Sequence, residues 1–372
     1  MRITNVEPII LRLAELDPSR ADGTQDAFLL RIHTDEGITG IGEADTSPYL
    51  ARTAIEMPSS HSICRGIGEL LIGEDPLQID RLWQRVHHGM AYYGRRGVGM
   101  HVLSAVDIAL WDLAGKAYGA SVSEMLGGRR VDSVRVYASE VMPDTPDEVL
   151  AIGRAAVAEG YGAFKLGWGP LGGDPGLDQE LIAAAREAIG PERDLMIDGG
   201  QAYTVKSALR LLEGAAAANL YWLEEPLAPD DIEGYRELAA RTTVRIATGE
   251  EDAGIAAFQA LARTARVDVL QPDISRCGGF TVARQIRDLV KAHGPMVVPH
   301  CFSTCVLVTS SLHVVAALDR PTYAEYSIAD SPFVNRLLAS PLQLVDEHVA
   351  VPTGPGLGIE LDEELLAHMR VD

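Results

Sequence analysis

The sequence predicts an α/β barrel that follows an N-terminal α+β domain, and three observations favour this fold class. After Val131, short β-rich runs recur at regular spacing, and helical stretches alternate with them. There are eight such runs, the number of strands in a (β/α)8 barrel. The region before Val131 lacks this alternation. The eight runs are VRVYAS (134–139), AFKLG (163–167), LMIDG (195–199), LYWLEE (220–225), VRIATGE (244–250), VDVLQPD (267–273), MVVPH (296–300) and TYAEY (322–326). A doubly wound open sheet is the alternative, but evenly spaced repeats favour closure.

The first third of the chain predicts a domain of mixed strands and helices. FLLRIHT alternates apolar and polar residues before the turn at 35–37, a pattern typical of an antiparallel meander. VLSAVDIALWDLAGKAYG repeats apolar residues at helical spacing, and Gly119 suits a helix C-cap. We therefore predict an N-terminal domain at 1–127, a barrel at 128–346, and a C-terminal segment at 347–372. That last segment is expected to pack on the barrel rim or on the N-terminal domain.

Composition excludes several classes of protein. The chain has 372 residues, 47% of them hydrophobic, and a net charge of −21, which argues against nucleic acid or an anionic membrane as partner. No apolar run reaches the roughly 18 residues that a membrane span needs. The start, MRITNVEPIILRL, does not resemble a signal peptide, so we expect a cytoplasmic protein. The four cysteines form no CxxC pair, and we expect reduced packing thiols.

Ionisable residues end seven successive predicted strands. In a barrel the active site lies at the carboxyl ends of the strands, and buried charge is costly unless it is paired or bound to metal. A complete series of such residues therefore predicts a polar active site at this end of the barrel. The seven residues, from strand two to strand eight, are Lys165, Asp198, Glu224, Glu250, Asp273, His300 and Glu325.

Three of these residues form a candidate metal site. Asp198, Glu224 and Glu250 are spaced 26 residues apart, about one βα unit, so their carboxylates should converge from neighbouring strands. Three adjacent carboxylates repel one another unless a cation joins them. Oxygen ligands with open positions favour Mg²⁺ over Zn²⁺, so we predict one Mg²⁺ per subunit. A carboxylate cluster paired with arginines is the alternative, but basic residues are scarce at these strand ends.

The remaining strand ends carry candidate proton-transfer groups. Asp273 can hold one nitrogen of His300, which makes the other nitrogen a candidate general base. Lys165 could be a base, a partner of a carboxylate ligand, or a clamp on a substrate carboxylate. Glu325 could accept a hydrogen bond from the substrate carboxylate or protonate it. The sequence has no GxSxG elbow and no GxxxxGK[ST] loop, which argues against acyl transfer by a serine and against nucleotide hydrolysis.

Several motifs together resemble the enolase superfamily and, within it, the mandelate racemase subgroup. The matching segments are SAVDIALWDLAGKAYG with EMLGG, LMIDGGQAY, YWLEEPL, IATGEE, LQPDISRCGGF, VVPH and GPGLGIE. The resemblance spans essentially the whole chain. It implies a modified TIM barrel of the (β/α)7β kind with an N-terminal α+β capping domain. It also implies Mg²⁺ on Asp198, Glu224 and Glu250, a His300–Asp273 base, and Glu325 near the substrate carboxylate.

The sequence departs from the subgroup at two places. The second strand usually ends Lys-x-Lys, with the second lysine as a base, whereas this chain has Lys165-Leu166-Gly167. The family's Asp-Ala-Asn after the third strand is Asp198-Gly199-Gly200. Racemisation needs bases on both faces of the α-carbon, so the missing lysine argues against it. Similar enzymes that lack this base are dehydratases of sugar acids.

The sequence therefore predicts a Mg²⁺-dependent sugar-acid dehydratase, a lyase that forms a 2-keto-3-deoxy acid. A cycloisomerase of a sugar lactone or anhydro-sugar acid, a racemase or epimerase, and a non-enzymatic binding protein are the alternatives. The expected partner is a small carboxylate, with Arg20 as a candidate contact to its distal end. We also expect a homo-oligomer, between dimer and octamer.

Overall fold

The computed structural model describes residues 1–19, 23–290 and 294–371. The strands are β1 (Ile3–Arg12), β2 (Asp26–Thr34), β3 (Thr39–Ala44), β4 (Ser133–Val141), β5 (Ala163–Gly167), β6 (Asp194–Asp198), β7 (Trp222–Glu224), β8 (Arg245–Thr248), β9 (Val269–Leu270), β10 (Met296–Val297), β11 (Tyr323–Ser327), β12 (Leu344–Val345) and β13 (His348–Ala350). The helices are α1 (Pro48–Glu56), α2 (Ile67–Leu71), α3 (Ile79–Gly89), α4 (Val98–Tyr118), α5 (Val122–Met125), α6 (Pro146–Glu159), α7 (Pro175–Ile189), α8 (Val205–Gly214), α9 (Ile232–Arg241), α10 (Ile255–Ala260), α11 (Gly279–Val290), α12 (Cys305–Ala316), α13 (Pro332–Asn335) and α14 (Glu363–Met369).

The N-terminal domain is an antiparallel sheet in the order β1-β2-β3, with helices α1, α2 and α4 packed against it and helices α3 and α5 packed on α4. The glycines of the TGIGEA strand let β3 approach α4 closely. A Cβ at Gly40 would lie 2.1 Å from Ala109 O, and one at Gly42 would lie 2.0 Å from Ala105 O. These glycines therefore serve helix packing. Helix α1 follows β3 directly and was not predicted from the sequence.

Helix α4 is the central helix of this domain. It is long and apolar enough to pass a test for a membrane span, but 89% of the apolar window is buried inside the protein. Its buried acidic residues hold neighbouring elements in place. Asp112 Oδ2 accepts from Ile41 N at 2.9 Å, and Asp107 Oδ2 accepts from Thr281 N at 2.9 Å. The helix thus joins the N-terminal sheet to the barrel.

The second part of the chain is the predicted barrel. Strands β4 to β10 are paired in parallel in sequence order, and β11 pairs with β4 to bring the eighth strand beside the first. Thr322, just before β11, donates its hydroxyl to Val297 O of β10 at 3.0 Å. The observed strands overlap all eight predicted runs, because alternating β-rich and helical segments mark each unit.

The C-terminal segment returns across both parts of the molecule. The β12–β13 hairpin pairs antiparallel with the start of β4, on the edge opposite β11, and β5 pairs with the same edge further along the strand. Further along, Leu357 N donates to Asp112 Oδ1 of α4 at 2.8 Å, and Val371 N donates to Ile10 O of β1 at 3.0 Å. This segment therefore ties the barrel to the N-terminal domain.

Candidate active site at the carboxyl ends of the barrel strands

The barrel interior explains why these strand ends meet. One buried layer takes a residue from each strand or from the residues directly after it: Tyr137, Ala163, Met196, Trp222, Ala247, Val269, Val298 and Tyr323. Side chains in a strand alternate with a period of two, so residues two positions further on face the same interior. Those next residues are Ser139, Lys165, Asp198, Glu224, Gly249, Gln271, His300 and Glu325. The polar layer therefore lies directly on an apolar and aromatic floor.

Asp198, Glu224 and Glu250 come together as the spacing predicts. They offer oxygen atoms that all lie within 4.8 Å of one another, and their side chains are buried. Burial raises the pKa of Asp198 well above its usual value, and the neighbouring Glu224 raises it further. Burial likewise raises the pKa of Glu224. A divalent cation would relieve the cost of ionising this cluster, and its all-oxygen donors suit Mg²⁺. The residues present thus fit the predicted ion.

Lys165 pairs with this cluster. Its Nζ lies 2.5 Å from Glu224 Oε1, 2.8 Å from Glu325 Oε1 and 3.8 Å from Asp198 Oδ2. Burial opposes the charge of Lys165, but Glu224 and Glu325 together raise its pKa well above the usual value. Lys165 is therefore a cation held between carboxylates. The sequence has few basic residues at these strand ends, which suggested that the carboxylates had little pairing. In the structure a single lysine lies close to three of them.

The His300–Asp273 pair also forms. His300 Nδ1 lies 2.8 Å from Asp273 Oδ2, while Ser275 donates its backbone N–H and its hydroxyl to Asp273 Oδ1 at 2.7 and 2.5 Å. Burial alone would raise the pKa of Asp273, but the hydrogen bond from His300 and the charge of Arg276 lower it. Because an ionised carboxylate only accepts, the proton between the pair belongs to His300 Nδ1, which leaves Nε2 as the candidate base.

Nε2 of His300 faces the metal cluster, 3.4 Å from Glu250 Oε2. Burial lowers the pKa of His300, but Glu250, Glu325 and the bond to Asp273 outweigh it and raise the pKa to about 10. Glu250 is also a candidate metal ligand, so a bound cation would offset part of that increase. The imidazole therefore lies within reach of whatever occupies the metal side of the cavity.

Glu325 is held as an acceptor. It accepts from Ser139 Oγ at 2.6 Å and from Cys301 N at 2.7 Å, in addition to its contact with Lys165. Burial would raise the pKa of Glu325, but Lys165 and His300 lower it to about 2. Of the two roles that the sequence left open, the geometry favours the ionised acceptor over the proton donor.

A cavity of about 230 Å³ opens onto these groups. Gly167 lies in its wall, and a Cβ there would be 2.1 Å from Asp198 Cβ. A larger side chain at this position would therefore require Asp198 to shift. Trp168 and Phe302 add aromatic walls. Arg20 lies outside the described residues, so its predicted contact stays a prediction.

Sequence reasoning missed two groups around the cluster. Arg276 follows Asp273 by three residues, and its Nη1 lies 3.6 Å from Glu250 Oε1. Gln201 follows Gly200, the position at which the family usually has an asparagine, and it supplies a side-chain amide there. Its Nε2 donates to Glu225 Oε2 at 3.3 Å. Each of the two residues lies three residues after an acidic residue at a strand end, Asp273 or Asp198, and that position was the available signal for both.

Two family models match the chain. The model described as mandelate racemase / muconate lactonizing enzyme, N-terminal domain, matches residues 18–127. The model described as enolase C-terminal domain-like matches residues 148–365. Together they cover most of the chain, including all seven strand-end residues.

Individual proteins are similar over nearly the whole length. D-galactarolactone cycloisomerase of Agrobacterium fabrum is 36% identical over 356 residues, covering 92% of this chain and 91% of that protein. L-rhamnonate dehydratase of Saccharopolyspora erythraea is 33% identical over 349 residues, covering 91% of this chain and 84% of that protein. The crystal structure of the 3,6-anhydro-D-galactonate cycloisomerase from Zobellia galactanivorans matches with a TM-score of 0.90 at 29% identity, covering 100% of both chains.

Proposed function

We propose that this chain, which belongs to the mandelate racemase / muconate lactonizing enzyme family of the enolase superfamily, is a Mg²⁺-dependent dehydratase of a sugar acid. The reaction removes the proton α to the carboxylate and the hydroxyl on the next carbon. The products are water and, after the enol tautomerises, a 2-keto-3-deoxy acid. Asp198, Glu224 and Glu250 are the proposed ligands of one Mg²⁺.

The proposal rests on one observation: the two candidate bases in the cavity, His300 and Lys165, have different surroundings. His300 Nδ1 is held 2.8 Å from Asp273, which turns Nε2 toward the cavity. A cation bound at Glu250 would offset the largest influence that raises the pKa of His300, so that Nε2 can accept a proton. Lys165, by contrast, is a cation paired with Glu224 and Glu325. One available base supports elimination, whereas racemisation needs a base on each face of the α-carbon.

In the proposed mechanism, His300 Nε2 takes the α-proton while Asp273 accepts from Nδ1–H and stabilises the resulting imidazolium. The imidazolium then returns the proton to the departing 3-hydroxyl, which leaves as water if elimination is syn. Lys165 contributes a fixed positive charge where the substrate carboxylate gains negative charge. When bound, Mg²⁺ stabilises the enediolate electrostatically, its general role in enolase-superfamily sites.

A cycloisomerase is the second candidate, and the relatives favour it specifically. The 36%-identical relative is a D-galactarolactone cycloisomerase, and the matched crystal structure is also of a cycloisomerase. The α-proton step is the same in both candidates. They differ in the leaving group, which is a ring oxygen in a cycloisomerase, so that no water is released.

A substrate screen separates the two candidates. The protein with Mg²⁺ would be incubated with mono- and diacid sugars, including L-rhamnonate, and with sugar lactones, including D-galactarolactone. Formation of 2-keto acid with loss of water from acid sugars is the expected result, and EDTA should abolish it. Turnover of lactones alone, without loss of water, would replace the dehydratase proposal with the cycloisomerase. Turnover of neither class would refute both.

A further inference from the structure

A short segment at the end of β3 lies against both barrel loops that carry the proposed base pair. The segment is Glu43-Ala44-Asp45, in the N-terminal domain. The two loops follow β9 and β10, and they carry Asp273 and His300. More than 225 residues separate the segment from each partner described below.

Glu43 caps the helix that follows His300. The side chain is 0% exposed, and its carboxylate accepts from Thr304 N at 3.1 Å, from Thr304 Oγ1 at 2.5 Å and from Leu307 N at 2.8 Å. Leu307 N lies in the first turn of α12, where helix N–H groups have no partner within the helix. A carboxylate at this position also complements the helix dipole. The N-terminal domain thus supplies the cap that fixes the loop between His300 and α12.

Asp45 begins a chain of hydrogen bonds that ends at the proposed base. Asp45 N donates to Ser275 Oγ at 3.2 Å, and Ser275 Oγ donates to Asp273 Oδ1 at 2.5 Å. Asp273 Oδ2 accepts from His300 Nδ1 at 2.8 Å. A serine hydroxyl has one proton and two lone pairs, so accepting from Asp45 N orients that proton toward Asp273.

The Asp45 side chain also holds Arg276. Arg276 Nη2 lies 2.6 Å from Asp45 Oδ2, and Arg276 Nε donates to Asp45 O at 3.3 Å. The same guanidinium lies 3.9 Å from Asp273 Oδ2 and 3.6 Å from Glu250 Oε1. With Asp45 removed, Arg276 would be free to move onto the carboxylate that holds His300.

We propose that the Glu43–Asp45 segment is a positioning element, through which the N-terminal domain holds the His300–Asp273 pair in its working geometry. Ser275 and Asp45 act through Asp273 and touch no reacting atom. The base is therefore assembled from both domains and is complete only when they are docked. This inference rests on the proposed role of His300 as the base.

The chain offers a matched pair of serines for the test. Ser104 Oγ accepts from Gly278 N at 2.8 Å, so it too forms a buried hydrogen bond between the N-terminal domain and the loop after β9. Within the described part of the chain, Ser104 Oγ bonds to Met100 O and Gly278 N and makes no hydrogen bond to Asp273 or His300. Ser275→Ala and Ser104→Ala therefore remove the same group from the same interface, and only the first changes the hydrogen bonds of Asp273.

The main readout is the NMR signal of the His300 side chain in ¹⁵N-histidine-labelled protein, assigned by its loss in His300→Asn. We expect Ser275→Ala to shift or broaden the Nδ1–H resonance and Ser104→Ala to leave it unchanged. With an active sugar acid, Ser275→Ala should lower kcat about tenfold with little change in KM. Asp45→Asn, at a side chain still 13% exposed, is the second variant should Ser275→Ala not fold, and it should shift the same resonance.

An unchanged His300 resonance in both Ser275→Ala and Asp45→Asn would overturn the proposal. So would an equal change in Ser104→Ala, because the effect would then be a general loosening of the interface. The NMR readout needs no substrate. If the wild-type protein turns over no acid sugar, the dehydratase proposal is refuted. The positioning role of the Glu43–Asp45 segment can still be tested by the NMR comparison.

Discussion

Replacing His300 with asparagine removes the proposed base and leaves the rest of the site in place. Asparagine keeps an amide that can donate to Asp273, the partner 2.8 Å from Nδ1 of the native imidazole. It has no group equivalent to Nε2, which lies 3.4 Å from Glu250 Oε2. The variant therefore separates proton transfer from folding and from metal binding.

The size of the effect follows from what else could accept the proton. General-base catalysis typically contributes about 10²- to 10⁴-fold, and the high end applies where no other base substitutes. Lys165 is held as a cation by Glu224 and Glu325, so it is a poor substitute. We expect turnover to fall about 10³-fold or more, equivalent to about 4 kcal/mol in activation free energy. Mg²⁺ affinity should change little, because His300 is not among the proposed ligands.

The assay combines three measurements on His300→Asn and on a control, His88→Asn, whose side chain is exposed on α3. These are 2-keto acid formation, incorporation of deuterium from D₂O into recovered substrate, and calorimetric titration with Mg²⁺. Loss of the first two with retained metal binding is expected only for His300→Asn. Activity within tenfold of wild type would refute the assignment and move the base to Lys165.

Three further predictions concern the surroundings of the site. Gly167→Ala places a Cβ about 2.1 Å from Asp198 Cβ, so Mg²⁺ affinity by calorimetry and the melting temperature should both fall. Gln201→Ala removes the donor to Glu225 beside the metal cluster and should weaken Mg²⁺ binding about tenfold by the same titration, with no change if the amide is incidental. Asp107, whose pKa burial raises to about 7, contributes stability that is full below about pH 4 and is lost as pH rises through 7. The free energy of unfolding in urea should therefore rise for Asp107→Asn relative to wild type as the pH increases from 4 to 8, by on the order of 4 kcal/mol over the range. A difference between the two proteins that does not change with pH would contradict this.

The sequence predicted those features that local patterns determine. The repeating βα units located all eight strands, and the period-two alternation placed polar residues such as Asp198 and Glu325 on the barrel interior. The fold class and the family resemblance are confirmed by the structure and by the family models. Helix α1 was missed because a short surface helix carries a weaker pattern than a buried one.

Contacts between distant segments could not be predicted from the sequence. The Arg276–Asp45 pair joins residues 231 positions apart, and neither residue stands at a predicted strand end of the barrel. The partners of Lys165 likewise depend on how deeply three carboxylates are buried around it, which no local pattern measures. The ionised state of Glu325 follows from that packing. Local sequence thus determines which groups reach the mouth of the barrel, and tertiary packing determines their charge.

The metal site is the central claim, and anomalous diffraction from crystals grown with Mn²⁺ in place of Mg²⁺ tests it most directly. Two clusters of described residues have donor atoms close enough to bind an ion: Asp198 with Glu224 and Glu250, and Asp45 with Asp273 and His300. We predict one anomalous peak per subunit, bounded by Asp198, Glu224 and Glu250. A peak at the second cluster, or none at the first with Mn²⁺ in excess, would contradict the account.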